Sequence, residues 1–487
     1  MSEGKKVFMS GGKPINWGLA NSAVSVLSVL IATSGIALFI STFDLEPVHV
    51  TVIALIGLGG LISFYYLRSN IILGIYYWVI LLWPYLFEVA DHPVKTSYLV
   101  IPLLCFVILT IMLTKKIRFN VYTHPIFRWS VLYAAMMLLS TLFNLNHMTT
   151  ATYSFLALWF LGVAFFVLYL GYINTLEKER VIGLAENATT VIMWMGLIAV
   201  IVAILEYYWP VEIHRFYNPR VGEESWGFRG GIEWFIDLKR GGSIIGAPNA
   251  FGIFLVITSI IAWHKWNLSK NVVFLGMVPI YFFGILLFSN SRQALIIFFI
   301  IFMLIFLRER KYILILFWGI LSMSTFILTK SLIVGLLTAG RHYIANPLGL
   351  GPDIPVLGDR VSLWVATVYT LLRSPAHFMH GYGSSNNLML SVIGKQTAHN
   401  IFLTALHFYG IPGLIILIML IRSLLKKTKV LLMSRDGKSF LNSFYFILIC
   451  MVLSSLVGSI FLFNPLITWI MFPMIAFLIR ISILEKG

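Results

Sequence analysis

The stretch TAHNIFLTALHFYGIPGLIILIMLI, from Thr397 to Ile421, places a histidine and an amide directly before a long apolar run. A helix needs about 20 mostly apolar residues to cross the hydrocarbon core of a bilayer. The sequence therefore predicts a membrane helix that begins near Asn400. Two interpretations of the pair His399–Asn400 are open. Either both residues cap the helix, or the His399 imidazole takes part in a reaction at the membrane surface.

The whole chain shares the composition of this stretch. Of its 487 residues, 59% are hydrophobic and only 11% are charged, which excludes a soluble globular protein. Apolar runs of spanning length recur throughout, so we expect an all-α polytopic membrane protein with about fourteen transmembrane helices. The first run is too long for the core of a signal peptide, and we expect it to be retained. The predicted helices are 19–41, 48–67, 70–88, 97–114, 128–144, 153–173, 189–208, 247–264, 273–289, 293–307, 311–329, 400–421, 441–461 and 464–480.

The basic residues predict the orientation of the chain. With a cytoplasmic N-terminus, these helices place 23 of the 35 Lys and Arg residues inside and 12 outside, and seven acidic residues inside and twelve outside. The formal net charge of +16 is then entirely a cytoplasmic excess, as the positive-inside rule requires. Both termini are predicted to be cytoplasmic. The charge therefore gives no reason to expect a nucleic-acid partner.

Two long segments, 209–246 and 330–399, interrupt the pattern of short connections, and both are predicted to be extracytoplasmic. Within the second, the spacing predicts a helix over about 360–372 that lies along the interface or over a cavity. Its predicted apolar face consists of Val361, Trp364, Val365, Val368 and Leu372. The segments divide the chain into N-terminal membrane helices (1–208), membrane helices with the first outer segment (209–329), a large outer loop (330–399) and C-terminal membrane helices (400–487).

Arg292, in the motif FSNSRQAL, is the clearest anomaly in the sequence. It lies where one apolar run meets the next, at the predicted outer boundary, although basic residues are otherwise concentrated inside. One interpretation is that the side chain snorkels to the headgroups or makes a structural hydrogen bond. The other is an anion site, because a guanidinium binds phosphate oxygens in a forked geometry and a helix N-terminus adds positive potential.

The motif LKRGGSIIGAPNAFG, residues 238–252, has the same two interpretations. Lys239 and Arg240 precede a glycine pair, and Pro248 and Asn249 open a membrane helix. Glycines permit close approach of the backbone to a ligand, but glycine loops before helices are also common without one. The later motifs GDRVSLW and HGYGSSNN add another outer arginine, Arg360, and a tight turn.

Several familiar chemistries lack sequence support. The chain has no Walker A, GxSxG or HExxH motif and no DxD-type acidic pair in the outer segments. His342, His377 and His380 do not have the spacing of metal ligands, so we expect no metal site and no cofactor. His407, inside the apolar run, is interpreted as structural or packed against a partner. Apart from Glu88 at the very end of one span, Glu206 is the only acidic residue in the predicted spans, which makes a proton relay hard to build.

The order of these motifs resembles the superfamily of O-antigen ligases and O-antigen polymerases. The resemblance covers residues 238–421 and rests on RGGSIIGAPNAFG, SRQAL, GDRVSLW with GYGSSN, and AHNIFLTALHFYGIPGL. It implies a GT-C-like glycosyltransferase of the bacterial inner membrane, with its active site on the periplasmic or extracellular side. The reaction would move a glycan from undecaprenyl pyrophosphate to an acceptor hydroxyl, with inversion and without metal.

The resemblance also implies roles for individual residues. Arg292 and Arg240 would bind the pyrophosphate and offset its developing charge, with Arg360 assisting. His399 would act as the base on the acceptor hydroxyl, or position it. Asn400, Asn249 and Lys239 would support the site. The implied partners are the lipid-linked glycan donor, a glycan acceptor, membrane lipids and a protein that regulates chain length.

Three functions remain open at this point. A polymerase joins lipid-linked repeat units into a surface polysaccharide, and the helix number and long outer loop favour it. A ligase attaches the glycan to a lipid A core or a protein. The alternative of another class is a lipid-linked-oligosaccharide flippase. Such transporters place discontinuous helices at the midplane and show internal repeats, and we find no convincing repeat here.

Overall fold

The computed structural model describes residues 47–82, 85–89, 92–117, 123–144, 150–209, 243–245, 247–289, 291–328, 364, 367–372, 375–383, 400–432, 438–458 and 465–485. The predicted first helix and most of the two long outer segments lie outside these ranges. Eight helices of the described part are long and apolar enough to cross a membrane. The protein is therefore a predominantly helical, multi-pass membrane protein.

The described elements follow the apolar pattern of the sequence. They are α1 (Pro47–Tyr66), α2 (Ile71–Leu82), β1 (Tyr85–Val89), β2 (His92–Lys95), α3 (Thr96–Thr114), α4 (Pro125–Phe143), α5 (Thr150–Ile173), α6 (Lys178–Tyr208), α7 (Pro248–Ser269), α8 (Val272–Phe283), α9 (Arg292–Arg308), α10 (Tyr312–Leu328), α11 (Pro375–His380), α12 (Ile401–Leu431), α13 (Lys438–Gly458) and α14 (Pro465–Leu484). A 3₁₀ turn (Ser243–Ile245) precedes α7, and a π-helical turn (Gly284–Ser289) continues α8.

Three predicted boundaries were wrong. The expected helix 70–88 ends at Leu82, and the chain then forms an antiparallel hairpin in which Tyr85 pairs with Lys95 and Val89 with His92. Pro84 explains the early end, because the residue before a proline disfavours helical backbone. In the opposite direction, α6 and α12 extend well beyond the predicted spans. Hydropathy marks where the membrane ends, whereas a helix continues into water when its residues permit.

The helix α7 lies at the centre of the described bundle, buried along most of its length. Its neighbours approach closely at glycines: a Cβ at Gly196 of α6 would lie 2.6 Å from the Thr258 side chain, and one at Gly252 would lie 2.6 Å from the Ala294 Cβ. Small residues at such contacts allow helices to pack where lipid offers no hydrophobic drive for association. Gly252 in the motif GAPNAFG thus serves packing between α7 and α9.

Hydrogen bonds from buried tyrosines connect the helices. The Tyr281 hydroxyl of α8 donates to the Met193 carbonyl (2.6 Å), and the Tyr76 hydroxyl of α2 donates to the Trp469 carbonyl (2.9 Å). Such bonds within a membrane bundle are worth about 0.6 kcal/mol on average. They fix the rotation of the helices more than they determine stability.

The bundle has two chemically different ends. One, called here the Arg292 end, gathers the first residues of α7, α9 and α12 and the last turn of α13. The other, the Lys311 end, gathers the last residues of α7 and α9 and the start of α13.

The predicted outer helix over 360–372 is described at residues 364 and 367–372, which are helical. Thr367 and Leu371 are buried, whereas Val368 and Leu372, from the predicted apolar face, are exposed. Trp364, also on the predicted apolar face, is half-buried, so only part of that face is exposed in the described residues.

Candidate functional site

Side-chain hydrogen bonds join the start of α9 to the start of α7. Ser291 caps α9, and its hydroxyl oxygen accepts from the Ala294 N–H (3.3 Å). The same hydroxyl donates to the Asn249 amide oxygen (2.9 Å), while the Ser289 hydroxyl donates to the Pro248 carbonyl (2.8 Å). The segment that carries Arg292 is thereby held against the first turn of α7. Asn249, predicted as a supporting residue, has this positioning contact.

Arg292 is the first residue of α9 and its side chain is exposed. Its guanidinium makes no hydrogen bond or ion pair with any residue that the structure describes. The N-terminal N–H groups of α9 add partial positive charge at the same place. The two together form a positive site without a protein counter-charge among the described residues.

The start of α12 reaches the same region, because α9 and α12 both bond to α13. The Gln293 amide donates to the Ser454 carbonyl (2.5 Å), and the Asn400 amide donates to the Leu456 carbonyl (3.0 Å). These carbonyls lie in one turn near the end of α13, so the starts of α9 and α12 converge there. Gln293 is buried, and its amide oxygen has no hydrogen-bond partner. Nothing in the sequence marked Gln293 or the two serines before Arg292.

Asn400 is the N-cap of α12, which confirms the capping interpretation for this residue. Its side-chain oxygen accepts from the Phe402 N–H (3.0 Å) and the Leu403 N–H (3.1 Å). The structure thus brings Asn249, Arg292 and Asn400 to one end of the bundle. The other predicted site residues, His399, Arg240, Arg360 and Lys239, lie outside the described residues.

Glu206 has a local role beside this region. Near the end of α6 it is buried, and its carboxylate accepts from the Ser243 N–H (2.7 Å). The Ser243 hydroxyl donates to the Ala199 carbonyl (2.5 Å). Ser243 follows Arg240 by three positions, so these bonds anchor the described end of the loop that carries the predicted basic residues.

The helix α12 is broken at Gly410, whose φ of 68° and ψ of −169° are not helical. The break leaves the His407 carbonyl without its usual donor, and Pro412 has no N–H to offer the Phe408 carbonyl. The outer loop supplies both missing bonds, from the Tyr382 N–H (2.8 Å) and the Gly383 N–H (2.9 Å). The outer loop is thus hydrogen-bonded into the break.

Glycines make this docking sterically feasible. Gly381 and Gly383 have positive φ, and a Cβ at Gly381 would lie 2.2 Å from the Phe408 carbonyl oxygen. The Ser140 hydroxyl of α4 bonds to the Phe408 carbonyl (2.5 Å) and accepts from the Gly383 N–H (3.1 Å). The predicted tight turn in HGYGSSNN is confirmed, and it contacts a broken helix.

Aromatic rings stack beneath the docked loop. The Tyr382 ring stacks on His377 (centroids 3.9 Å apart) and on His407 (4.9 Å). His407 is buried, and neither ring nitrogen has a hydrogen-bond partner among the described residues. These contacts agree with the structural interpretation of His407. Among the described residues, no group of His, Cys, Asp or Glu could hold a metal ion.

The Lys311 end also contains a pocket, of about 340 Å³, lined by His264, Lys270, Glu309, Lys311 and Ser439 among others. Its charges are largely paired: Lys311 lies 2.6 Å from the Glu309 carboxylate and over the Trp263 ring. The pocket lies at the opposite end of α7 from Arg292, and no predicted site residue lines it.

No family model matches the chain, and no curated protein matches its sequence. Function therefore has to be argued from the site itself. A positive site built from an unpaired guanidinium and converging helix N-termini favours a multiply charged anion. Its position at the end of a membrane bundle favours an anion attached to a lipid.

Proposed function

We propose that this protein is a membrane-embedded glycosyltransferase that joins oligosaccharide repeat units carried on undecaprenyl pyrophosphate into a surface polysaccharide. The observation that carries the proposal is the Arg292 guanidinium, which has no partner among the described residues and lies at the convergence of three helix starts. A pyrophosphate at the membrane surface needs a positive site at the end of the membrane helices. The order of the sequence motifs supports the choice of a glycan donor.

The proposed topology has fourteen membrane helices in a GT-C-like arrangement in the bacterial cytoplasmic membrane. Both termini are cytoplasmic, and the Arg292 end faces the periplasm or cell exterior. The positive-inside bias supports this orientation. With this orientation, the proposed site lies in the leaflet where lipid-linked repeat units are polymerised.

In the proposed reaction, an acceptor hydroxyl attacks the anomeric carbon of the donor sugar. The new glycosidic C–O bond forms as the bond from the anomeric carbon to the pyrophosphate oxygen breaks, and the electron pair of that bond leaves with the pyrophosphate. Arg292, with Arg240 and Arg360, stabilises the added charge. His399 takes the hydroxyl proton. Asn400 and Asn249 position the helix starts, and Lys239 adds charge nearby.

The direct test is to incubate purified protein in detergent, with a metal chelator present, with undecaprenyl-pyrophosphate-linked repeat units and separate the products on a gel. A polymerase gives a ladder. Removing one charge-stabilising group typically costs about 2.7–4 kcal/mol of transition-state stabilisation. Arg292→Ala should therefore slow ladder formation by about 10²–10³-fold, and His399→Ala should also reduce it strongly. Arg310→Ala, at the other end of α9, is the matched control.

Equal ladders from the wild type and from both site variants would overturn the assignment of these residues. A single addition to a lipid A core or a protein acceptor, without a ladder, would instead indicate a ligase. Movement of the donor across vesicle membranes without any product would indicate a flippase.

A further inference from the structure

A second surface of the bundle carries an unassigned site. Between the second half of α12 and the helix α13 runs a groove of about 710 Å³. Its wall is overwhelmingly apolar, and Ile418 is nearly half exposed at 44%. The apolar residues that line it are Phe402, Ile418, Ile421, Leu425, Tyr445 and Ile449.

Three cations line the same groove. Arg422, Lys426 and Lys429 follow one another by four and three residues, which places them on one face of α12. All three are exposed, and none makes a hydrogen bond or ion pair with a described residue. No acidic residue is among the described residues that line the groove. Among the residues that the structure describes, the positive charge of the groove therefore has no counter-charge.

Along α12, the three cations follow Ile418, with Leu425 between Arg422 and Lys426. Eleven residues separate Ile418 from Lys429, which corresponds to about 16 Å at the rise of an α-helix. The cations lie toward the Lys311 end, and the apolar residues extend toward the bilayer centre. Arg308, stacked over the Tyr445 ring at 5.4 Å, adds further positive charge on the α13 side.

We propose that this groove binds an anionic phospholipid of the leaflet at the Lys311 end, which the charge bias assigns to the cytoplasm. An acyl chain lies along the apolar wall, and Arg422, Lys426 and Lys429 bind the phosphate. Charge complementarity selects this occupant: an apolar groove with three unpaired cations at headgroup depth matches one anionic lipid. The site does not depend on the proposed glycosyltransferase activity.

The test measures lipid retention. The protein is purified in mild detergent and titrated with phosphatidylglycerol or phosphatidylcholine, and bound lipid is counted by native mass spectrometry. Basic residues at an anionic surface contribute enough that three of them account for about a hundredfold in affinity. The variant R422Q/K426Q/K429Q should bind phosphatidylglycerol about a hundredfold more weakly than the wild type. The control K115Q/K116Q/R310Q removes the same charge elsewhere and should bind normally.

A second variant tests the apolar wall. Ile418→Trp fills the groove at a half-exposed position and leaves every cation in place, so it should lose the retained phosphatidylglycerol. Three results would each overturn the proposal: equal binding of phosphatidylcholine by the wild type, an equal loss in the control triple variant, or full retention by Ile418→Trp.

Discussion

The two ends of the helix bundle differ in how their lysine and arginine side chains are paired. At the Lys311 end, Lys265 lies 3.1 Å from the Glu186 carboxylate, and Lys311 pairs with Glu309 at 2.6 Å. The Lys311 ammonium also lies over the Trp263 ring, 4.5 Å from its centroid. At the other end, Arg292 has no partner among the described residues. Carboxylates thus neutralise some cations at the ends of the bundle, whereas Arg292 has no such partner among the described residues.

This difference separates charges that stabilise packing from charges available to a ligand. A paired lysine at a helix end contributes to the fold and has little residual field for an incoming anion. An arginine without a protein partner keeps its guanidinium donors free for an anionic ligand. By the same criterion, the unpaired cations of the α12 groove belong with Arg292, although they lie at the Lys311 end.

Glu186→Gln should give the largest stability effect at the Lys311 end. One carboxylate oxygen accepts from the Phe440 N–H (2.7 Å), and the other accepts from Lys265 (3.1 Å). A neutral amide cannot accept from both, and leaving a partly buried donor unpaired costs about 1–3 kcal/mol. We expect a lower apparent melting temperature in detergent and an unchanged rate per folded molecule.

The control for that prediction is Glu179→Gln, which removes the same charge from the exposed first turn of α6. An equal fall in melting temperature for both variants would mean that the contacts of Glu186 contribute nothing specific. A fall in catalytic rate without a fall in melting temperature would contradict the distinction between packing charges at the Lys311 end and ligand-binding charges at the Arg292 end.

Asn400 allows a smaller test at the Arg292 end. Asn400→Ala removes the cap of α12 and should destabilise the protein by about 0.5–2 kcal/mol. Asn400→Ser retains an N-cap oxygen but loses the bond to the Leu456 carbonyl, so it should keep the melting temperature. If the bond to α13 positions the site, both variants should lower the product yield. Normal yield from Asn400→Ser would limit Asn400 to capping.

The sequence was sufficient for features that depend on neighbouring residues. The apolar runs predicted the described helices, the position of Asn400 predicted its cap, and the pair Gly381 and Gly383 predicted a tight turn. Each depends on a few residues close in sequence, where backbone preferences decide the outcome. Gly410 and Pro412 were a further local signal, from which the break in α12 could have been expected.

The contacts that assemble the site were not predictable in the same way. Ser291 bonds to a residue 42 positions away, and Gln293 bonds to the Ser454 carbonyl 161 positions away. Hydropathy indicates that a helix is buried but not which helix lies beside it. Glu206 was recognised as unusual, yet its partner is the backbone N–H of Ser243, which carries no side-chain signal.

His407→Phe should give the smallest change in stability. It still distinguishes the helix break of α12 from the start of α12 as the place of the chemistry. His407 is 1% exposed, and both ring nitrogens lack hydrogen-bond partners. Phenylalanine keeps the stack on Tyr382 and removes two unsatisfied polar atoms, so stability should change by less than about 0.5 kcal/mol. His407→Ala, which leaves a cavity, should cost several kcal/mol by comparison with large-to-small aromatic changes, about 3–5 kcal/mol. Melting temperature and product yield are measured for both. If His407→Phe folds normally but makes no product, the chemistry lies at the helix break, about 15 Å along the axis from Asn400, and the proposed role of the helix starts is wrong.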